Sequence, residues 1–115
     1  MALRLRPGDQ PLPRPGSVEV QSVVIDELIR YDSDVFDRLA VEVAERREVG
    51  ISRYGSPLMT HNGRDACRDL LDELLDGVVY AAQVRMEGLD VRDVEFTLRA
   101  LAARVRLLMD RRDAG

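Results

Sequence analysis

The stretch from Arg64 to Gln83, RDACRDLLDELLDGVVYAAQ, constrains the fold more than any other part of the chain. With side chains advancing about 100° per residue on a helix, its residues sort onto two faces. Cys67, Leu70, Leu71, Leu74, Leu75 and Val78 cover one side. Asp65, Asp69, Asp72, Glu73, Asp76 and then Tyr80 cover the other. This spacing predicts a helix from about Gly63 to Met86, ended by Gly88, with Asn62 as its N-cap and Asp65 three residues on in a capping-box-like role. A helix with one apolar face needs something to bury it against, and the flanking sequence supplies helices.

Downstream, Val94, Leu98, Leu101, Val105 and Leu108 recur at alternating four- and three-residue steps, widened by Leu107 and Met109. Such a seam suits packing on another helix, within the chain or across a dimer, and Asp90 can cap it. Upstream, Val20, Val23, Val24 and Leu28 with Ile25 and Ile29 have helical spacing, although the β-branched run leaves a strand open. The polar Tyr31–Asp34 segment predicts a break. Phe36, Leu39, Ala40 and Val43 then resume a stripe to Gly50, the expected C-terminal stop, and residues 50–63 read as a loop. Four of the five prolines fall in residues 1–17, which read as an extended arm. The expectation is an all-α bundle of about four helices: an arm over 1–17, then one domain over 18–115. Aromatic residues are only 4% of the chain, so its core is aliphatic and suits helix packing. A core this small is often shared with a partner subunit.

The net charge of -4 argues against broad contact with nucleic acid or anionic membrane. No apolar run reaches the roughly 20 residues of a membrane span, and MALRLRPGDQPLPRPG holds no apolar signal core, so a cytoplasmic chain is expected. A single Cys excludes an internal disulfide and multi-Cys zinc sites, and a single His excludes His-rich metal sites. Cys67 falls on the apolar side and reads as a core residue; His61 reads as a loop residue. All 17 basic residues are Arg, whose planar fork suits phosphate.

The acidic side of the central helix has one sign of charge. Asp69/Asp72, Asp69/Glu73, Asp72/Asp76 and Glu73/Asp76 are neighbours at three or four residues, and each like pair opposes the helix by roughly 0.2–0.5 kcal/mol. A solvated face is the plain alternative. Otherwise the repulsion calls for a cation: arginines from elsewhere, or a metal ion. The preceding helix adds Glu42 and Glu45, with Arg38 and Arg46 four residues either side of Glu42. Packed antiparallel, the two helices would bring Glu42 and Glu45 opposite Glu73 and Asp76. Oxygen ligands of that kind favour Mg²⁺ or Mn²⁺.

The set ExxE at Glu42/Glu45, then RYG, NGRDA and DExxD ending at Asp76, resembles the all-α nucleotide pyrophosphohydrolases of the MazG-like superfamily. Residues 40–82 resemble its small phage and actinobacterial members. The resemblance implies Mg²⁺-dependent hydrolysis of a (deoxy)nucleoside triphosphate to monophosphate and pyrophosphate, by a helical bundle completed as a homodimer or homotetramer. It matches Glu42, Glu45, Glu73 and Asp76 to metal-binding acids, with Asp72 and Asp69 as further acids. On that footing Glu45 orients or deprotonates the attacking water. Arg53 and Arg64, with Arg46 a third candidate, clamp phosphate oxygens. Tyr54 and Tyr80 either stack on the nucleobase or pack their rings. Asn62 is a cap or a base reader. The rival reading is a non-catalytic helical interaction module, resting on the seam at 94–108 and the Pro-rich arm.

Overall fold

The structure, a computed structural model, describes residues 10–115. Among these described residues there are four helices: α1 (Val20–Ile29), α2 (Asp34–Tyr54), α3 (Ala66–Met86) and α4 (Arg92–Ala114). Among the described residues there is no strand beyond an isolated bridge between Glu19 and Met59. The all-α expectation holds. No helix among the described residues is long and apolar enough to cross a membrane. The chain divides into two compact units, Leu12–Arg64 and Asp65–Gly115 with Gln10 and Pro11. Of the predicted arm over residues 1–17, residues 1–9 lie outside the described residues, and residues 10–17 hold no helix or strand.

In the first unit α1 packs on α2. The β-branched run at Val23–Ile25 is helical, not a strand. Glu19 caps α1, accepting from the Ser22 N–H at 2.9 Å. The same carboxylate accepts from the Arg47 Nε of α2 at 2.9 Å. The predicted break is present: Asp32 adopts φ 50, and extended Ser33 starts α2. Gly50 is not the stop. A lone glycine costs a helix interior about 0.5–1 kcal/mol, too little to end it when the next residues continue the ladder. The stop is Gly55, at φ 83, whose N–H bonds Ile51 O at 2.7 Å. Residues 14–20 run antiparallel to 58–62, through Arg14 N to Asn62 O (2.7 Å), Ser17 N to Thr60 O (2.9 Å), Thr60 N to Val18 O (2.8 Å) and Val20 N to Leu58 O (2.9 Å). Gly16 lies so close to this partner that an added Cβ would stand 1.9 Å from Thr60 O.

In the second unit α3 and α4 are antiparallel, since Asp65 at the start of α3 meets Arg112 at the end of α4 and Arg85 at the end of α3 meets Glu95 at the start of α4. Leu71, Ala102 and Met109 form the core, with Cys67, Leu74 and Val105 against it. Cys67 thus belongs to the core surround. Of the expected seam, Val105 packs on this core and Leu98 lies over Gly77 of α3, while the other three members face outward. Glu95, Ala102 and Met109 are buried, whereas Val94, Leu101 and Leu108 are 46%, 46% and 44% exposed. The apolar stripe of α4 is wider than one neighbour covers: Leu98, Ala102, Val105 and Met109 turn toward α3, and Leu101 and Leu108 do not. The N-cap of α3 is also corrected. It is Asp65, which accepts from Arg68 N at 3.2 Å, so α3 begins at Ala66. Asn62 instead accepts from Arg64 N at 3.2 Å within the preceding loop, a local turn that short polar side chains favour. The cap of α4 is Val91; Asp90 accepts from Arg92 N one residue earlier, at 3.2 Å.

Candidate functional site

Each unit carries one of the two acidic pairs. On α2, Glu42, Arg46, Gly50 and Tyr54 follow at four-residue steps, with Glu45, Val49 and Arg53 beside them. At about 100° per residue they cover a broad sector of the helix, running from Glu45 through Glu42 and Arg46 to Gly50 and Tyr54. They line an open hollow of about 420 Å³. Five residues singled out by sequence, Glu42, Glu45, Arg46, Arg53 and Tyr54, meet on this one surface. All five are exposed, and Tyr54 is 74% so. Its ring is not packed in the core.

Arg64 and Asn62 belong to the same unit but do not line the hollow. Asn62 is committed at both ends, its backbone carbonyl to Arg14 and its side chain to Arg64 N. Arg64 precedes the N-cap of α3 rather than sitting in the first helical turn.

On α3 the acidic stripe splits. Glu73 is exposed and Asp69 half-buried, while Asp72 and Asp76 are only 7% and 8% exposed. Those last two are not part of a solvated face. A buried carboxylate costs several kcal/mol unless charge and hydrogen bonds compensate it. For Asp72 the compensation is visible: Arg68 donates from Nε at 3.1 Å and Nη2 at 2.7 Å to one oxygen. Gln10 donates to Asp69 Oδ1 at 3.0 Å, and Asp69, Glu73 and Asp76 are all engaged. Tyr80, one turn beyond Asp76, is 62% exposed, so its ring is not packed either.

Two further acids are held by arginine. Asp65 accepts from Arg112 Nη1 and Nη2 at 2.9 and 3.0 Å, and its backbone N–H donates to Gln10 at 2.6 Å. The Arg112 guanidinium holds the Asp65 carboxyl below the ordinary carboxylate range and is itself pushed up. Glu95, 3% exposed, accepts from Arg85 and from Arg99. Arg68–Asp72 and Arg99–Glu95 are four residues apart and readable from spacing. Arg112–Asp65 spans 47 residues, and no local pattern points to it.

As donors, the carboxylate pairs Glu42/Glu45 and Glu73/Asp76 are chemically suited to a hard divalent cation. Within neither unit do three or more His, Cys, Asp or Glu among the described residues form a group that could hold a metal ion. A comparison with family models finds no match, and neither does one with curated proteins or one with solved structures.

Proposed function

We propose that the protein is a Mg²⁺-dependent hydrolase, of the MazG-like kind, that converts a (deoxy)nucleoside triphosphate to its monophosphate and pyrophosphate. The observation that carries the reading is the hollow on α2, where two carboxylates, two guanidiniums and an exposed phenol meet. That mixture can meet a cation, phosphate and a ring along one ligand. The ordered likeness of residues 40–82 to MazG-like proteins supports it, as does the burial of Asp72 and Asp76 on the second acidic helix.

In this reading Glu42, Glu45, Glu73 and Asp76 hold Mg²⁺, with Asp69 and Asp72 as supporting acids. Mn²⁺ would serve the same oxygen ligands. An ion held by these carboxylates would supply Lewis-acid chemistry, offsetting phosphate charge and polarising the bond to be cleaved. Glu45 accepts a proton from water as the oxygen attacks the α-phosphorus, and pyrophosphate leaves with the bridging oxygen. Arg53, Arg64 and Arg46 supply fixed positive charge to the phosphate oxygens. A homodimer or homotetramer completes the bundle. The rival reading, a non-catalytic interaction module, draws on the arginines that already offset Asp65, Asp72 and Glu95 and on the exposed leucines of α4.

The test is turnover. Wild type incubated with each nucleoside triphosphate and Mg²⁺ should release monophosphate and pyrophosphate, and chelation should stop it. Glu45→Gln should cut kcat by about 10²–10⁴, the usual range for a general base. Absence of turnover with every nucleotide, or full activity in Glu73→Ala, would defeat the reading.

A further inference from the structure

Gly50 lies inside α2 with helix on both sides, yet a Cβ added there would meet nothing within 4 Å. Its backbone is not left-handed. Neither close approach nor conformation therefore accounts for a glycine, which only proline exceeds in disfavouring a helix interior. What the glycine provides is backbone with no side chain over it, and that half-buried patch lines the hollow.

Its neighbours make the patch specific. Arg46 and Tyr54 stand four residues either side on the same row, each about 6 Å away along the axis. A guanidinium plane and an aromatic ring are groups on which nucleobases stack. Glu42 and Glu45 line the same hollow further round the helix, about 7–12 Å nearer its start along the axis, within reach of a sugar and phosphate chain.

We infer that Gly50 is the floor of a nucleobase subsite: the base stands with its edge on the bare backbone of α2 at Gly50 and its faces toward Arg46 and Tyr54, with its phosphates directed toward Glu42 and Glu45, so that Arg46 serves the base rather than the phosphates. This rests on the hydrolase reading and specifies how the base of its substrate is held. A side chain at position 50 fills the slot.

The test combines binding with kinetics on the full chain. Nucleoside monophosphates are titrated into wild type, Gly50→Ala and Gly50→Leu without metal, followed by amide shifts in heteronuclear NMR. KM for the triphosphate is measured in parallel. The inference expects the amides of Arg46, Gly50 and Tyr54 to shift in wild type. Gly50→Ala should melt at or above the wild-type temperature, and Gly50→Leu should weaken nucleotide binding and raise KM at least tenfold. Unshifted amides, or wild-type binding in Gly50→Leu, overturn it. So does a Gly50→Ala variant with a lower melting temperature and a smaller mass in solution, because position 50 is then a helix-packing contact. Shifted amides without turnover in wild type keep the subsite and remove the hydrolase; turnover without shifted amides does the reverse.

Discussion

Asp65 performs two tasks at one position. It caps α3 through Arg68 N and binds Arg112 at the far end of α4. The two are separable by substitution, because Asn caps a helix as well as Asp but carries no charge. Asp65→Asn should lose less than about 1 kcal/mol, the ceiling for a partly exposed ion pair. Asp65→Ala loses the cap too, about 1 kcal/mol more. Urea unfolding of both variants checks this; equal losses would mean that the cap contributes nothing. The example also shows what spacing conceals at this scale. Asn62 and Asp65 are both good caps, and sequence favours the first. The chain uses the second because Asn62 is already bound to Arg14 and Arg64.

For the helices, legibility followed periodicity. All four were readable from their apolar spacing, and the break at residues 31–34 from its polarity. The end of α2 was not, since Gly50 and Gly55 look alike locally and only the φ of 83 at Gly55 distinguishes them. The burial of Asp72 and Asp76 was equally hidden, because a helical wheel gives a direction but not what covers it. At this scale Met109 is the central apolar contact of α3 with α4, at 4% exposure. Met109→Ala should cost about 2–5 kcal/mol by chemical denaturation. The α1–α2 pair predicts a pH effect instead. Hydrogen bonds from Arg47, and then from Ser22, hold Glu19 down to about 2 from its ordinary 4.5. Its folded value lies below its unfolded one, so its contribution is complete above about 4.5 and is lost as pH falls toward 2. Melting temperatures across that window should fall less steeply in Glu19→Gln than in wild type; parallel curves would show that the pair contributes nothing to acid stability.

The whole molecule has more apolar sequence than apolar interior. Hydrophobic residues are 45% of the chain, yet among the described residues the buried hydrophobics are Ala40, Leu71, Ala81, Ala102 and Met109, three of them alanines. Burial contributes only about 25 cal/mol per Å², so so short a set offsets little of the entropy of ordering four helices. The remaining aliphatic surface includes Val94, Leu101 and Leu108, which recur every seven residues along the uncovered edge of α4. A repeat of that length is the one that lets two helices meet along a continuous seam. If a second copy covers it, as the proposed homo-oligomer requires, stability depends on protein concentration, because association stabilises only the folded state. Raising the concentration a hundredfold should therefore raise the melting temperature by several degrees, and sedimentation should give the mass of a dimer or tetramer. Leu101→Glu places a charge in the middle of the seam, where each copy would bury it. That variant should sediment as a monomer and melt at a temperature independent of concentration. A wild type that is monomeric at every concentration, and a Leu101→Glu variant as stable as its parent, would show that this edge of α4 faces water in the working protein.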